Sequence, residues 1–436
     1  MYNRRVPIDV FCMSKISNAR IDRAGLALSR DIVDDVDEYF ELEEVFDEYR
    51  KSHLQPLTET TLELQHWLNN YGEHYYIAQR LKRKPQIIRK LQRLSVRLTQ
   101  LQDVGGCRII VNKNRDVDNL YAYLLERITG QENFTLTRVT DYREKGRDDT
   151  GYRALHLMFT RTGRKLELQI RSRMQHYWAE SIERTSVVYG YHLKEKEGAG
   201  IVIAYFRQLS NIFYEKEANR EPTAYQKLEI NQLKKYADKE IRASDKNQVF
   251  DSFVNRDIIK TLRAVELSKG SGFNNWLIVF DWNSGAFVSW EVIDRDPQTA
   301  IDAYVHKENQ FTATGGYEVV LIGSSDVETV QHTHSHYFGV DTYESIFAGL
   351  DQSAGLVEAM DLDTDARQIL LSLVRRNFWG NRKVSVKTLR NHWCKDANDF
   401  DHALKYLATK DLLTYVATKG TVALNVKAKN EINSYL

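Results

Sequence analysis

Between positions 80 and 97 the chain carries eight basic side chains (Arg80, Lys82, Arg83, Lys84, Arg89, Lys90, Arg93 and Arg97) and no acidic one, and the run leads into LQDVGGCRIIV. A cationic run is usually a solvated helix face, but here Cys107 to Val111 read as a buried strand directly after it. Together they predict an anion site beside a sheet. The alternation continues with a helix at about 115–128, strands near 134–141, 154–160 and 165–171, and a helix around 173–185. A polar, loop-like segment covers 141–151. Helices and strands interleaved in this way predict an α+β (α/β) domain built on a mixed sheet.

Upstream, residues 29–71 have helical spacing, with Ile32, Val36, Phe40, Val45, Phe46 and Tyr49 as the expected buried stripe. Pro56 punctuates it, and a second helix is expected over 59–79. Residues 201–245 read as one or two amphipathic helices packing on the mixed-sheet unit. Domains are therefore expected at 1–60 (helical), 60–245 (the mixed-sheet unit), 248–350 and 361–436. The third follows the linker SKGSGFN and reads β-β-α-β, with a hairpin turn at Trp282-Asn283-Ser284-Gly285 and a helix capped by Asp296. The last reads as helices at 366–378, 384–394 and 397–410, then a hairpin across Lys419-Gly420, a winged-helix-like order.

At 436 residues two or three domains are the sensible expectation, and 61 Lys and Arg against 60 Asp and Glu name no partner by overall charge. Cys12, Cys107 and Cys394 form no CxxC pair, so a reducing, cytoplasmic setting is expected. No apolar run approaches the roughly 20 residues that span a bilayer, so no membrane association is expected. No GxxxxGK[ST], HExxH or GxSxG occurs, which argues against P-loop, zincin and hydrolase-elbow chemistry. What stands out is the basic segment, Asp103 at a strand entry and Glu167 on a later strand. Two hard carboxylates on neighbouring strands suit Mg²⁺, which takes one or two protein carboxylates and fills its shell with water and phosphate. In QHTHSHYFG, alternation along a strand would put His332, His334 and His336 on one face, so metal binding stands beside a structural or interface role.

These residues together resemble the RelA/SpoT synthetase family over roughly 60–245. Its Arg-x-Lys run with a later Lys is matched by Arg80, Lys82 and Lys90, and its Asp-x-x-Gly-x-Arg-Ile entry by Asp103, Gly106, Arg108 and Ile109. Asp141, Tyr142, Gly151, Tyr152, Leu155 and His156 match the next block. Glu167, Gln169 and Arg171 match the ELQIRS strand, and His176, Ala179 and Glu180 the helix after it. Gln86 and Ala154 stand where the family has Ser, and the stretch DYREKGRDDTGY is one residue longer than usual.

The resemblance implies a nucleotidyltransferase-like synthetase domain that uses ATP and Mg²⁺ to place a diphosphate on a 3′-hydroxyl. Arg80 would clamp adenine, Lys82, Lys90 and Arg108 would hold the ATP phosphates, and Lys145 or Arg147 would assist. Asp103 and Glu167 would hold Mg²⁺, with Glu167 also drawing the acceptor proton. Tyr152 would stack on the acceptor base while His156 and Arg171 orient acceptor or diphosphate. The acceptor implied is GDP or GTP, or, as in toxic relatives, the 3′-terminal adenosine of tRNA or an adenosine nucleotide. An inactive fold acting as a regulatory binding protein is the reading from another class.

The family's hydrolase uses a His-Asp pair, and this sequence has no such dipeptide, so control from outside the synthetase unit is expected. Asp396, Asp399 and Asp401 would repel DNA at the third C-terminal helix. The 361–436 region is therefore expected to touch a regulatory protein or this chain itself, and a homo-oligomer is an open arrangement.

Overall fold

Alternation along the strands sorts the first sheet into an apolar and a polar face. The computed structural model describes residues 16–30, 32–73, 75–131, 134–147, 150–244, 274–293, 296–312, 315–324, 329–330, 333–334, 337, 349–350, 353, 364–394, 397 and 400–434. The chain divides into two units, 1–354 and 355–436.

The first unit opens with α1 (Asn18–Arg30), α2 (Val36–Lys51) and α3 (Leu54–Leu68), then β1 (Tyr75–Leu81) and α4 (Lys84–Arg93). Next come β2 (Gly105–Val111), α5 (Asn114–Ile128), β3 (Thr135–Asp141), β4 (Leu155–Arg161) and β5 (Arg164–Ser172). The helices α6 (Arg173–Tyr189), α7 (Gly200–Glu217) and α8 (Ala224–Arg242) follow. The unit continues through β6 (Asn274–Asp281), β7 (Ala286–Ile293), α9 (Pro297–Gln310) and β8 (Tyr317–Ser324). Eight strands form one sheet in the order β3-β4-β5-β2-β1-β8-β6-β7, with β2 and β5 parallel and the other neighbours antiparallel. The expected α+β mixed sheet is present.

Ile77, Leu81, Cys107, Ile109, Leu157, Phe159, Leu166, Leu168 and Ile170 turn to one face and join a core with Leu57, Leu64, Leu120 and Leu124 from α3 and α5. The intervening residues, among them Arg80, Arg108, His156, Glu167 and Gln169, therefore share the other face. At the β8-β6-β7 end that second face turns apolar. There Ala78, Trp276, Ile278, Phe280, Val320 and Ile322 pack with Val187, Val330 and Tyr337.

The expected separation of a 248–350 module from the 60–245 unit is corrected by this pairing. Gln79 and Arg80 of β1 lie opposite Gly323 and Ile322 of β8, so the later strands lengthen the first sheet. An alternating pattern announces a strand but not the edge it will join. Long-range charge pairs tie the two parts: buried Arg50 of α2 reaches Glu308 of α9, and Arg83 pairs with Glu318 of β8.

The N-terminal stripe is also corrected. Asp35 accepts from the backbone N–H of Asp37 and Glu38 and starts a new helix at Val36, which leaves Ile32, Val36 and Phe40 exposed. The buried stripe is Leu42, Val45, Phe46 and Tyr49. Pro56 lies inside the first turn of α3, where the missing N–H is harmless, so that helix starts before the proline and ends at Leu68 rather than reaching 79.

The second unit has α10 (Thr364–Arg375), β9 (Val384–Ser385), a short helical turn over Val386–Thr388 continuing as a π-helical turn over Leu389–Trp393, then α11 (Phe400–Thr409), β10 (Leu413–Val416), β11 (Thr421–Leu424) and α12 (Lys429–Ser434). Its sheet runs β10-β11-β9, and its core holds Ile369, Leu373, Leu389, Leu404, Leu407 and Val422. Asp401 pairs with Arg390, while Asp396 and Asp399 lie outside the described residues.

Candidate active site

The polar face of the first sheet half carries most of the candidate residues in register. Arg80 lies opposite Gly106, and Gly106 opposite Glu167. One row along, Arg108 lies opposite Gln169, and Gln169 opposite His156. Gly106 keeps the space between these rows open, since a Cβ there would lie 3.2 Å from the carbonyl oxygen of Glu167.

Asp103, just before β2, receives Lys82 Nζ at 2.6 Å and Lys90 Nζ at 2.7 Å, both on Oδ2. Burial pushes its carboxyl up, but the two ammonium groups outweigh this and hold it well below the usual carboxylate range. Its Oδ1 is buried and has no hydrogen-bond partner. Glu167 Oε1 lies 2.8 Å from His156 Nδ1, and Gln169 Nε2 donates to Oε2 at 2.5 Å. Burial raises the Glu167 pKa, yet the His156 charge brings it below its ordinary value.

Behind Glu167 runs a chain of polar contacts. His156 Nε2 is 2.8 Å from the Tyr152 hydroxyl, which accepts from Arg171 Nη2 at 2.6 Å, and Arg171 also donates to Gln169 Oε1 at 2.7 Å. Burial would lower the His156 pKa, but Tyr152 and Glu167 raise it to about 9. Arg108 donates to the Thr333 carbonyl at 2.8 Å and lies 3.7 Å from Glu180. Burial and the Arg171 charge draw its pKa down to about 10.

Two open clefts meet at the carboxylate pair. One, of about 170 Å³, is lined by Arg80, Lys82, Gln86, Arg108, Glu183 and His334 together with Asp103 and Glu167. The other, of about 190 Å³, has Lys90, Arg138, Tyr142, Arg147 and His156 around the same two carboxylates. Of the eight residues in the basic run, only Arg80, Lys82 and Lys90 line these clefts. Arg83, Lys84 and Arg89 are spent on Glu318, on Glu43 and Asp47, and on Glu195. Arg147 lines the second cleft over the Tyr142 ring, whereas Lys145 is exposed and lines neither. Tyr152 sits behind His156, and Tyr142 is the tyrosine on the cleft wall.

The donor set fits Mg²⁺. The cation needs one or two carboxylates, and Asp103 offers an unpartnered oxygen beside Glu167. Among the described residues no three His, Cys, Asp or Glu side chains gather as a metal cluster. His334 is buried beside Thr333 and Tyr337, and His332 and His336 lie outside the described residues.

Sequence reasoning passed over Arg153. It is buried and donates to Ser210 Oγ at 3.0 Å, Asn211 Oδ1 at 2.8 Å and the carbonyl oxygens of Arg143 and Glu144. It thereby holds the loop after β3 against α7. Gly151 allows that contact: its φ is +85°, and a Cβ would come within 2.9 Å of Arg207 Cα. Nothing in the local sequence marks Arg153, because its side-chain partners lie 57 and 58 positions away.

Residues 79–194 match the family model described as the region found in RelA/SpoT proteins. No curated protein matches the chain. Among solved structures, small alarmone synthetase 2 from Bacillus subtilis is 19% identical, covering 37% of this chain and 92% of its own, with a TM-score of 0.30. Small alarmone synthetase 1 from the same organism, bound to its product pppGpp, is 20% identical over 38% of this chain and 87% of its own, with a TM-score of 0.31. A GTP pyrophosphokinase family protein from Streptococcus pneumoniae is 16% identical over 45% of this chain and 96% of its own, with a TM-score of 0.33. The chain carries a RelA/SpoT region over residues 79–194, and in the fold that region shares its sheet with β6, β7 and β8 from beyond the match.

Proposed function

We propose that the first unit is an ATP-dependent pyrophosphokinase that transfers a diphosphate to the 3′-hydroxyl of GDP or GTP, yielding a 3′-diphosphorylated guanosine nucleotide and AMP. The observation that carries this reading is the meeting of two cation-lined clefts at Asp103 and Glu167. Such an arrangement suits two charged substrates brought together at one metal-binding point.

In this reading ATP lies in the Arg80 cleft, with Arg80 against adenine and Lys82 and Arg108 along the phosphates, while Lys90 reaches them from the second cleft at Asp103. Asp103 and Glu167 would hold Mg²⁺, whose charge would offset that of the phosphates. The acceptor lies in the Arg147 cleft, where Arg147 takes the assisting role and Tyr142 supplies the aromatic wall, with Tyr152 behind it holding His156. His156 orients the acceptor, and Arg171 supports that histidine from behind through Tyr152. The acceptor 3′-oxygen attacks the β-phosphorus of ATP, the bond between that phosphorus and the α,β-bridging oxygen breaks, and AMP leaves carrying that oxygen. Glu167 takes the hydroxyl proton; its contact with His156 keeps it ionised for that purpose.

The acceptor is tested by incubating the full chain with γ-labelled ATP, Mg²⁺ and, separately, GDP, GTP, ATP and deacylated tRNA. Label on the guanosine nucleotides is expected. Label on tRNA or an adenosine nucleotide instead would replace the acceptor, and no label on any would favour an inactive binding fold. Tyr152→Ala is expected to raise the acceptor KM far more than the ATP KM, because it removes the hydroxyl that holds His156 on the wall of the acceptor cleft. Equal effects on both would make Tyr152 a packing residue.

No helix among the described residues is long and apolar enough to cross a membrane, and a cytoplasmic setting suits nucleotide substrates. The helix, short strand, helical turn, helix and hairpin order of the second unit supports a winged-helix reading. Asp401 on the lead of α11 favours a protein partner over DNA.

A further inference from the structure

The cleft read above as the ATP site has one wall that the family region does not supply. Residues 79–194 contribute Arg80, Lys82, Gln86, Asp103, Arg108, Glu167 and Glu183, but His334 comes from beyond β8. The sheet explains how it arrives. Arg80 of β1 lies opposite Ile322 of β8, on the face where Ile322, Val330 and Tyr337 pack with Ala78 and Val187. Val330 and Tyr337 are about 1% exposed, so this wall is anchored in a core and is not a surface loop.

Its contacts with the cleft fall on two arginines. The Thr333 carbonyl accepts from Arg108 Nη1 at 2.8 Å. The Tyr337 ring lies 5.9 Å from Arg80 Cζ, and the His334 ring stacks on Tyr337 at 14° and 6.4 Å. Among the described residues, the other contact of the Arg80 side chain is a long one, 3.4 Å to Gln86 Oε1, and no carboxylate pairs with it. A guanidinium can hold a base only if its plane is fixed, and the Tyr337 face is the group available to fix it. Thr333 holds one end of the Arg108 guanidinium, and its Nε is buried without a hydrogen-bond partner.

We propose that Thr333 and Tyr337 are positioning groups for the nucleotide donor: Tyr337 sets the plane of Arg80 for a purine, and the Thr333 carbonyl sets Arg108 for phosphate. Residues beyond the family region thus complete a site inside it. This rests on the reading of the Arg80 cleft as the ATP site, and the test separates the two.

Binding of α,β-methylene-ATP and of GDP to the full chain is measured by calorimetry for the unaltered protein, Tyr337→Phe and Tyr337→Leu. Tyr337→Leu is expected to weaken the ATP analogue about 5- to 20-fold, the range of a desolvated cation–π contact, with GDP binding unchanged. Tyr337→Phe, which keeps the ring, is expected to bind as the unaltered chain does. In an Arg80→Gln background, Tyr337→Leu is expected to add nothing, since its effect passes through Arg80. Equal loss of both ligands, or an additive loss in the double variant, would make Tyr337 merely structural and overturn the proposal.

Should Tyr337→Leu fail to fold, hydrogen exchange of the unaltered chain decides. Peptides carrying Thr333 and Tyr337 are expected to exchange more slowly with α,β-methylene-ATP and not with GDP, and no difference would overturn the proposal. An unaltered chain that binds GDP but no ATP analogue would overturn the donor-site reading itself.

Discussion

Asp103→Asn and Glu167→Gln are each expected to lower turnover at least about a hundredfold, the scale of losing a metal ligand or a general base. Both substitutions keep side-chain shape and remove charge at the point where the two clefts meet. In the first, Lys82 and Lys90 lose their shared counter-ion, at 2.6 and 2.7 Å, so some stability goes too, on the order of 1–3 kcal/mol. Turnover should fall far more than the folded fraction does, and initial rates beside thermal melts separate the two effects. In the second, His156 loses its carboxylate partner at 2.8 Å, so the orientation of Tyr152 is disturbed along with the proton acceptor. Near-normal rates in both variants would remove the metal site from the account.

A chain ending at residue 245 is expected to be insoluble or to melt without cooperativity, whereas a chain ending at 354 should keep a cooperative transition. Cutting at 245 uncovers the β1 edge that pairs with β8 and strips Leu277, Val279, Tyr304, Val319 and Leu321 from the main core. It also leaves Arg50 without Glu308 and Arg83 without Glu318. Breaking a buried pair by removing one partner costs about 3–5 kcal/mol, so losing two exceeds a typical margin of stability once the exposed core is added. Circular dichroism melts of the two truncations, compared with the full chain, give the answer. A cooperative melt for the shorter chain near that of the longer one would mean that β6, β7 and β8 are an appendage.

These two expectations differ in how far the sequence could have led to them. The polar face was legible because Glu167, Gln169 and Arg171 alternate with Leu166, Leu168 and Ile170, a period that fixes which side each takes. Asp103 was legible from its place at the entry to a buried strand. The junction of β8 with β1 was not, because Tyr317–Ser324 has the pattern of a buried strand whichever edge it joins. The basic run shows the same limit. All eight residues look alike in sequence, and only distant carboxylates such as Glu318 and Glu195 decide that Arg83 and Arg89 are structural while Lys82 and Lys90 face Asp103. Ile32, Val36 and Phe40 were misplaced because Asp35 restarts the helix and changes its phase. Arg153 went unseen because its carbonyl and amide partners come together only when α7 closes on the loop.

The central claim is that the two clefts pass a diphosphate, and not a nucleotidyl group or a single phosphate, from ATP to a 3′-hydroxyl. It is tested most directly by giving the full chain Mg²⁺, GDP and ATP labelled at the α- or, separately, the γ-phosphorus, and separating the products. γ label is expected on the guanosine nucleotide and α label in AMP, in equal amounts. Label from the α position on the acceptor, or γ label released only as inorganic phosphate, would contradict it.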